Sequence, residues 1–375
     1  MNEEKIFSGE PTDAAAGPAA TAVAPDHAAA PIKINRRPSL ALKILKRTLI
    51  GAGALVLLVE VVLGVLYWLY PNQVVESWRY YYNPYEKAEV VTSEKPPDAS
   101  APLDKSQLVD VDLPFTEKVK RRAIVYLPKG YQTGVKDLRY PVVYLLHGSP
   151  GTEIDWLQKG KAQAVLDEAI EKHVVPPVIA VFPNGHALRE DSEFINSADG
   201  KEPNEDFIVK TVVSYVDATY PTYADSKFRA IGGLSEGGFG ALNLGLKNQD
   251  VFGYTFGIAG YAAVDKNAKT VQGSAQVIHD NTPLVYVPES KRHSTKVLLF
   301  CGLQDKWFLQ QNQDLDKVLK AQKYAVEFRT APGAHNWGFF TAGLKEGLAW
   351  WGKGMAADLT WDGAPSGTEA PKAGP

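Results

Sequence analysis

The chain has 375 residues, of which 45% are hydrophobic and 22% are charged, a balance typical of a globular protein with one large core. Its formal net charge of −3 gives no long-range attraction to a phosphate backbone, which argues against a nucleic-acid-binding protein. With a single cysteine, Cys301, the chain can form neither an intrachain disulfide nor a cysteine-rich metal site. The apolar neighbours of Cys301 predict a buried strand residue rather than a reactive thiol.

The N-terminal region combines a polar tail with a long apolar run. Residues 1–47 are rich in Ala, Pro, Thr, Asp and Glu and end in a cluster of Lys and Arg, which predicts a disordered, basic tail. Residues 48–70 are almost wholly apolar, and a run of this length spans a hydrocarbon core of about 30 Å. The run ends in Tyr67, Trp68 and Tyr70 instead of a small-residue cleavage site. An uncleaved transmembrane helix is therefore favoured over a secretory signal peptide.

Charges on either side of this run predict its orientation. The basic cluster precedes it and Arg79 alone follows it closely, so we expect a single-pass protein of the cell membrane with a cytoplasmic N-terminus and an extracytoplasmic catalytic domain. Glu60 in mid-span is interpreted as a tolerated polar residue, with a helix–helix contact or a protonated carboxyl as the alternatives. Residues 71–104 are interpreted as a juxtamembrane segment and linker, and residues 356–375 as a disordered tail.

Between these segments, residues 105–355 alternate short apolar runs with helical patterns. Strands are predicted at 123–127, 141–146, 178–182, 228–232, 254–258, 297–301 and 325–329. Helices are predicted at 162–172, 206–218, 237–246, 309–322 and 337–351. Strands that are apolar on both faces indicate a buried parallel sheet, so the expected fold class is α/β, with a doubly wound, mainly parallel sheet of the α/β-hydrolase type.

A G-x-S-x-G pattern, Gly233-Leu234-Ser235-Glu236-Gly237, is the strongest local signal of chemistry. An apolar run enters it and a helix rich in small residues leaves it, as a nucleophile turn between strand and helix requires. We therefore interpret Ser235 as a catalytic nucleophile, against the alternative of a structural glycine-rich turn. A dinucleotide-binding turn is poorly supported because G-x-G-x-x-G is absent here.

A serine nucleophile needs a histidine base and a carboxylate that orients the histidine. In this fold the order along the chain is Ser, acid, His, and only His279, His293 and His335 follow Ser235. His335 lies in a Pro/Gly loop directly after a predicted strand, and Asp305 holds the matching position one strand earlier. Both should project over the same sheet edge as Ser235, which predicts a triad, with a solvated histidine and a loop-capping aspartate as the alternatives.

Two backbone N–H groups must face the oxyanion that develops during acyl transfer. The N–H of Glu236, directly after the nucleophile, is one candidate. Ser149, in the loop His147-Gly148-Ser149-Pro150-Gly151 after a predicted strand, is the other. His147 is expected to support this loop by hydrogen bonding rather than to act as a second base.

Four segments together resemble the esterase family that includes feruloyl esterases, S-formylglutathione hydrolase, enterochelin esterases and the antigen 85 mycolyltransferases. They are residues 122–128, 140–148, 229–235 and 332–337, in the family's order and spread over most of residues 110–352. The resemblance implies the triad Ser235, Asp305 and His335, with Glu236 and Ser149 at the oxyanion positions. The residue after the nucleophile is commonly Met in the family, so Glu236 departs from the pattern.

The leading hypothesis is a membrane-anchored serine esterase that hydrolyses a carboxylic ester through an acyl-enzyme on Ser235. Acyl transfer to a cell-envelope lipid or glycan is the second hypothesis, because a tether raises the effective concentration of envelope substrates. A catalytically inactive envelope scaffold is the third. The expected partners are the ester substrate, lipid-linked or wall-linked in the transfer hypothesis, and the membrane, and no cofactor or metal is implied.

Overall fold

The computed structural model describes residues 92, 93, 95–185, 192–356, 358 and 359, together with residues 58, 61 and 62. The chain divides into two compact units, residues 1–71 and residues 72–375. The predicted membrane span 48–70 lies outside the described residues apart from Leu58, Val61 and Val62, which are helical and exposed. The tail at 1–47 also lies outside them, as does 360–375 of the C-terminal tail. Among the helices that are described, none has the length and apolar character needed to cross a membrane.

An eight-stranded sheet forms the centre of the second unit. Its strands are β1 Gln107–Pro114, β2 Lys120–Leu127, β3 Val142–Leu146, β4 Ile179–Pro183, β5 Arg229–Leu234, β6 Tyr254–Ile258, β7 Lys296–Gly302 and β8 Val326–Ala331. Their order in the sheet is β1-β2-β4-β3-β5-β6-β7-β8. β1 pairs antiparallel with β2, and β2 pairs antiparallel with β4, whereas all pairs from β4 to β8 are parallel. The carboxyl ends of β3 to β8 therefore share one edge of the sheet.

Helices follow most of the parallel strands. They are α1 Asp155–Gln158, α2 Ala162–Glu171, α3 Asn204–Asp206, α4 Val213–Thr219, α5 Glu236–Lys247, α6 Ala275–Asp280, α7 Pro283–Tyr286, α8 Lys306–Ala321 and α9 Trp337–Met355. A π-helical turn, Phe207–Val212, joins α3 to α4, and short 3₁₀ turns occupy Ser226–Phe228 and Val287–Glu289. α8 buries only one side, whereas α5 is buried from Glu236 to Leu246.

The two faces of the sheet carry separate cores because successive side chains of a strand point to opposite faces. Val143 and Leu145 of β3 pack on the face covered by α2 and α9, where Trp156 and Trp351 are fully buried. Val142, Tyr144 and Leu146, their neighbours in the same strand, join the opposite core with Phe207, Ala241 and Leu244. All five residues of β3 are consequently buried, as the apolar run in the sequence predicts.

The structure has the predicted α/β architecture and differs from the predicted elements mainly at the antiparallel edge. β1 is absent from the sequence prediction because Asp110 and Asp112 interrupt its apolar pattern. Arg122 of β2 pairs with the Asp110 carboxylate across the two strands, which accounts for the charge at that position. Residues before 105 also contribute, since Ser93 bridges Val109 and Ala99 is fully buried. The predicted helix 206–218 is observed as α3, the π-helical turn and α4.

Candidate active site

Ser235 lies in the sharp turn between β5 and α5. Its backbone has φ 54° and ψ −121°, a left-handed conformation that costs a non-glycine residue about 1–3 kcal/mol. Close packing holds the turn in place, since a Cβ on Gly233 would lie 2.1 Å from the Gly237 carbonyl oxygen, and a Cβ on Gly237 would lie 2.2 Å from the carbonyl oxygen of His147. The Ser235 N–H also donates to the Ile258 carbonyl on the adjacent strand at 3.0 Å. The two glycines of the motif thus let β5, α5 and the loop after β3 meet around one serine.

The three residues predicted as a triad are hydrogen-bonded in series. His335 Nε2 lies 2.9 Å from Ser235 Oγ, and His335 Nδ1 lies 2.5 Å from Asp305 Oδ2. Since an ionised carboxylate only accepts, these contacts assign the Nδ1–H tautomer, with Ser235 Oγ–H donating to Nε2. Such a series is the arrangement that a serine nucleophile, a general base and an orienting carboxylate require.

Backbone hydrogen bonds link the acid loop, which carries Asp305 after β7, to the histidine loop, which carries His335 after β8. Leu303 N–H donates to the Ala331 carbonyl at 3.0 Å, and Gln304 N–H donates to the Gly333 carbonyl at 3.1 Å. The Gln304 side chain accepts in return from the Gly333 N–H. Close approach requires glycine here too, because a Cβ on Gly302 would lie 2.3 Å from the Gly333 carbonyl oxygen. The paired loops therefore set the separation between Asp305 and His335 before substrate binds.

Aromatic rings fix the orientation of the imidazole. Phe308, in the first turn of α8, stacks on His335 with ring centroids 4.2 Å apart and an interplanar angle of 20°. Phe340 of α9 meets the same imidazole edge to face at 4.9 Å and 87°. The His335 side chain is 31% exposed and that of Asp305 is 10% exposed. The carboxylate is thus shielded from water while the imidazole stays accessible.

The predicted oxyanion groups come from the loop after β3 and from the start of α5. A Cβ on Gly148 would lie 3.2 Å from the Ser235 Cβ, so this loop passes directly beside the nucleophile. Ser149 follows in the loop, and Glu236 is the first residue of α5. His147 accepts from the Gly185 N–H through Nε2 at 2.8 Å and contacts the Gly148 carbonyl through Nδ1. His147 therefore supports the loop, as predicted.

The Glu236 side chain forms a contact that the sequence did not indicate. Its Oε1 accepts from the Glu193 N–H at 2.8 Å, and Glu193 Oε2 accepts from the Tyr261 hydroxyl at 2.6 Å. Both glutamates are buried, and Glu193 and Phe194 have positive φ angles. The carboxylate beside the nucleophile thus anchors a strained segment from the loop that precedes α3. Sequence reasoning missed Glu193 and Tyr261 because they are remote from every motif along the chain. It also missed Phe308, which is only three residues after Asp305, because its contact with His335 joins two loops that are distant in sequence.

Cys301, the final core residue before the acid loop, is buried as predicted. Burial, with a smaller contribution from the Asp305 charge, raises the pKa of its thiol to about 12. The thiol consequently stays protonated at neutral pH and is a poor nucleophile. Among the described residues, no group of three or more His, Cys, Asp and Glu side chains is placed to hold a metal ion.

A parallel sheet with a strained serine turn, a histidine loop and an acid loop along one edge defines a serine hydrolase of the α/β-hydrolase fold. The family model "Esterase", described as putative esterase, matches residues 117–351, and the chain belongs to this family. It is a serine carboxylic ester hydrolase.

Individual relatives differ in how much of their length this chain matches. An endo-1,4-beta-xylanase/feruloyl esterase of Xylanibacter ruminicola is 36% identical over 35% of this chain, which covers 18% of that relative. An acetyl esterase of Caldicellulosiruptor saccharolyticus is 25% identical over 60% of this chain and 88% of its own length. A solved ferulic acid esterase aligns with a TM-score of 0.59 and 26% identity over 67% of this chain and 99% of the other. The first relative is thus matched over less than a fifth of its length, whereas the other two are matched over most of theirs.

Proposed function

We propose that Ser235 is the nucleophile of this esterase, His335 its general base and Asp305 the carboxylate that orients the base. The continuous hydrogen-bonded chain from Asp305 Oδ2 through His335 to Ser235 Oγ carries this proposal. In acylation, Ser235 Oγ bonds to the ester carbonyl carbon while His335 Nε2 takes its proton. The bond from that carbon to the alcohol oxygen then breaks, and the proton passes from His335 to the departing alcohol.

Deacylation repeats these steps with water. His335 removes a proton from water, the water oxygen bonds to the acyl carbon, and the bond to Ser235 Oγ breaks as the serine recovers a proton. The backbone N–H groups of Glu236 and Ser149 are proposed to stabilise the oxyanion in both halves, because the first begins α5 and the second follows the glycine beside the Ser235 Cβ. The names of the relatives, feruloyl esterase and acetyl esterase, support small and aromatic acyl groups as substrates to test first.

Acyl transfer is the second candidate reaction, and the partial exposure of His335 supports it. With 31% of its side chain exposed, the base is open both to water and to a larger alcohol. An alcohol that replaces water in deacylation gives a new ester by the same bond changes. Product analysis with an added alcohol separates the two reactions, since only transfer yields the second ester.

The purified full chain should release p-nitrophenol from p-nitrophenyl esters of short and aromatic acids, and a fluorophosphonate probe should label it. In Ser235→Ala the labelling should vanish and kcat should fall by about 10⁴-fold or more, because no acyl-enzyme can form. Circular dichroism and thermal melting check that the variant is folded. Residual turnover near the wild-type rate in the folded variant would contradict the assignment of the nucleophile.

We further propose that residues 48–70 anchor the protein in the cell membrane with the hydrolase domain outside the cytoplasm. The long apolar run and the basic residues before it support this proposal. The full chain should stay in the membrane fraction after an alkaline carbonate wash. Protease added on the extracytoplasmic side of the membrane should cut the hydrolase domain. Release by the wash, or protection from external protease, would contradict the anchor or its orientation respectively.

A further inference from the structure

Trp307 is an exposed aromatic side chain two residues after Asp305. Its side chain is 58% exposed, and no other Phe, Tyr or Trp in the described part of the chain is as exposed. Leu303, at the start of the same loop, is 41% exposed. Removing apolar surface of this size from water is favourable, so its exposure beside a reaction centre indicates a contact surface for a ligand.

Ring contacts connect Trp307 to the general base. Trp307 meets Phe308 edge to face with centroids 4.8 Å apart, and Phe308 stacks on His335 at 4.2 Å. Trp307 also contacts Tyr261 at 6.0 Å, and Tyr261 stacks on Phe239 at 4.7 Å with an angle of 5°. The Tyr261 hydroxyl is held by Glu193. Trp307 therefore packs against Tyr261 and Phe308, which are held by their own contacts, while much of its own surface is exposed.

The reaction determines which part of the ester lies nearest to this surface. His335 Nε2 hydrogen-bonds Ser235 Oγ at 2.9 Å and must afterwards pass its proton to the oxygen of the leaving alcohol. That oxygen consequently sits within hydrogen-bonding distance of the imidazole when the bond breaks. Phe308 and Trp307 form an aromatic surface that begins on the face of that imidazole. This surface therefore adjoins the alcohol rather than the far end of the acyl chain.

We propose that Trp307 forms the platform of a subsite for the alcohol part of the substrate, and that it selects alcohols carrying an aryl or sugar ring over alcohols without a ring. An indole face offers the largest aromatic contact among side chains, and it binds both aryl rings and the apolar face of a sugar ring. The inference rests on the proposed triad. It also extends to transfer, because an acceptor alcohol must approach His335 Nε2 from the position that the leaving alcohol vacates.

The test varies the alcohol while the acid is constant. Methyl, benzyl and glucosyl esters of one acid are compared in the full chain, in Trp307→Ala and in Trp307→Phe. We expect the ratio of kcat/KM for the benzyl or glucosyl ester to that for the methyl ester to fall about tenfold in Trp307→Ala, with partial recovery in Trp307→Phe. A fall for the benzyl ester alone assigns an aryl alcohol, and a fall for the glucosyl ester assigns a sugar.

A second series fixes the alcohol and varies the acid, and its kcat/KM ratios should be the same in Trp307→Ala and in wild type. Val135→Ala is the matched control, since Val135 is 42% exposed and follows β2, whose carboxyl end lies at the opposite sheet edge. This control should leave both series unchanged. An unaltered alcohol ratio in Trp307→Ala, or a change that follows the acid, would overturn the subsite while leaving the triad intact. Failure of wild type to react with the fluorophosphonate would overturn the triad as well.

Discussion

The nucleophile turn and the loops that carry the base and the acid are held in different ways. Ser235 is fixed by backbone packing, where Gly233 and Gly237 leave no room even for a methyl group. Asp305 and His335 are instead fixed by hydrogen bonds between two loops and by rings stacked on the imidazole. Close steric packing resists displacement more strongly than contacts between side chains do. The turn at Ser235 is thus the rigid side of the site, and the loops that carry Asp305 and His335 are its adaptable side.

Asp305→Asn should have the largest effect on the adaptable side. An amide in place of the carboxylate can donate to His335 Nδ1 and so favours the wrong tautomer, and kcat should fall by about 10⁴-fold with little change in fold. Steady-state kinetics of the full chain measure this fall. Asp314→Asn, an exposed change in α8, the helix that follows Asp305, should retain the wild-type rate. A drop of less than about tenfold in Asp305→Asn would mean that another group orients the base.

Gly237→Ala tests the rigid side. A methyl group there would lie 2.2 Å and 2.5 Å from two backbone carbonyl oxygens, so the turn must shift, and we expect a loss of about 3 kcal/mol in the free energy of unfolding. Denaturant unfolding measures the loss, and kcat should fall with it as Ser235 moves.

Gly338→Ala is the matched control for that variant because Gly338 is likewise the second residue of a helix. A methyl group at Gly338 would meet only Asn336 Oδ1, at 3.3 Å. Its free energy of unfolding should stay within about 1 kcal/mol of wild type. Equal losses in the two variants would show that the nucleophile turn is no more constrained than an ordinary helix start.

A smaller effect is expected from changing the Glu236 side chain, at the start of α5 on the rigid side. Glu236→Met removes the acceptor for the Glu193 N–H, and a buried donor left without its partner costs about 1–3 kcal/mol. We expect kcat/KM to fall about tenfold in this variant as the segment around Glu193 loosens. Glu236→Gln keeps an acceptor oxygen and should remain within about threefold of wild type. Equal losses in both variants would instead indicate that the negative charge itself is needed.

The smallest expected effect is on the reactivity of the thiol of Cys301, the last core residue before the acid loop. Since burial raises its thiol pKa to about 12, the folded protein should resist thiol reagents at pH 8 and keep full activity, whereas the unfolded chain should react at its single cysteine. The raised pKa also means that the unfolded state loses this proton first, so the group lowers stability as pH rises past about 9. Rapid labelling of the active enzyme would show that the start of the acid loop opens.

Short motifs predicted the parts of the site that depend on local sequence. The strand, turn and helix around Ser235, and the loops of Asp305 and His335, follow strands whose apolar runs are visible in the chain. The order of the strands in the sheet and the side-chain contacts between distant loops could not be predicted from the sequence. β1 was not predicted because Asp110 and Asp112 interrupt its apolar pattern, and the pairing of Asp110 with Arg122 of β2 is visible only in the folded chain. Glu193 contacts Glu236, and Tyr261 contacts Glu193, only after the chain folds, so no local sequence pattern predicts these contacts.

The position of β8 at the edge of the sheet has a consequence for how the enzyme loses activity on heating. β8 is an edge strand, paired with β7 alone within the sheet, and none of its residues is buried, whereas every residue of β5 is. Outer strands with exposed backbone detach at lower free energy than central ones. Heating should therefore separate His335 from a still intact nucleophile turn, so thermal inactivation precedes melting of the core and reverses on cooling.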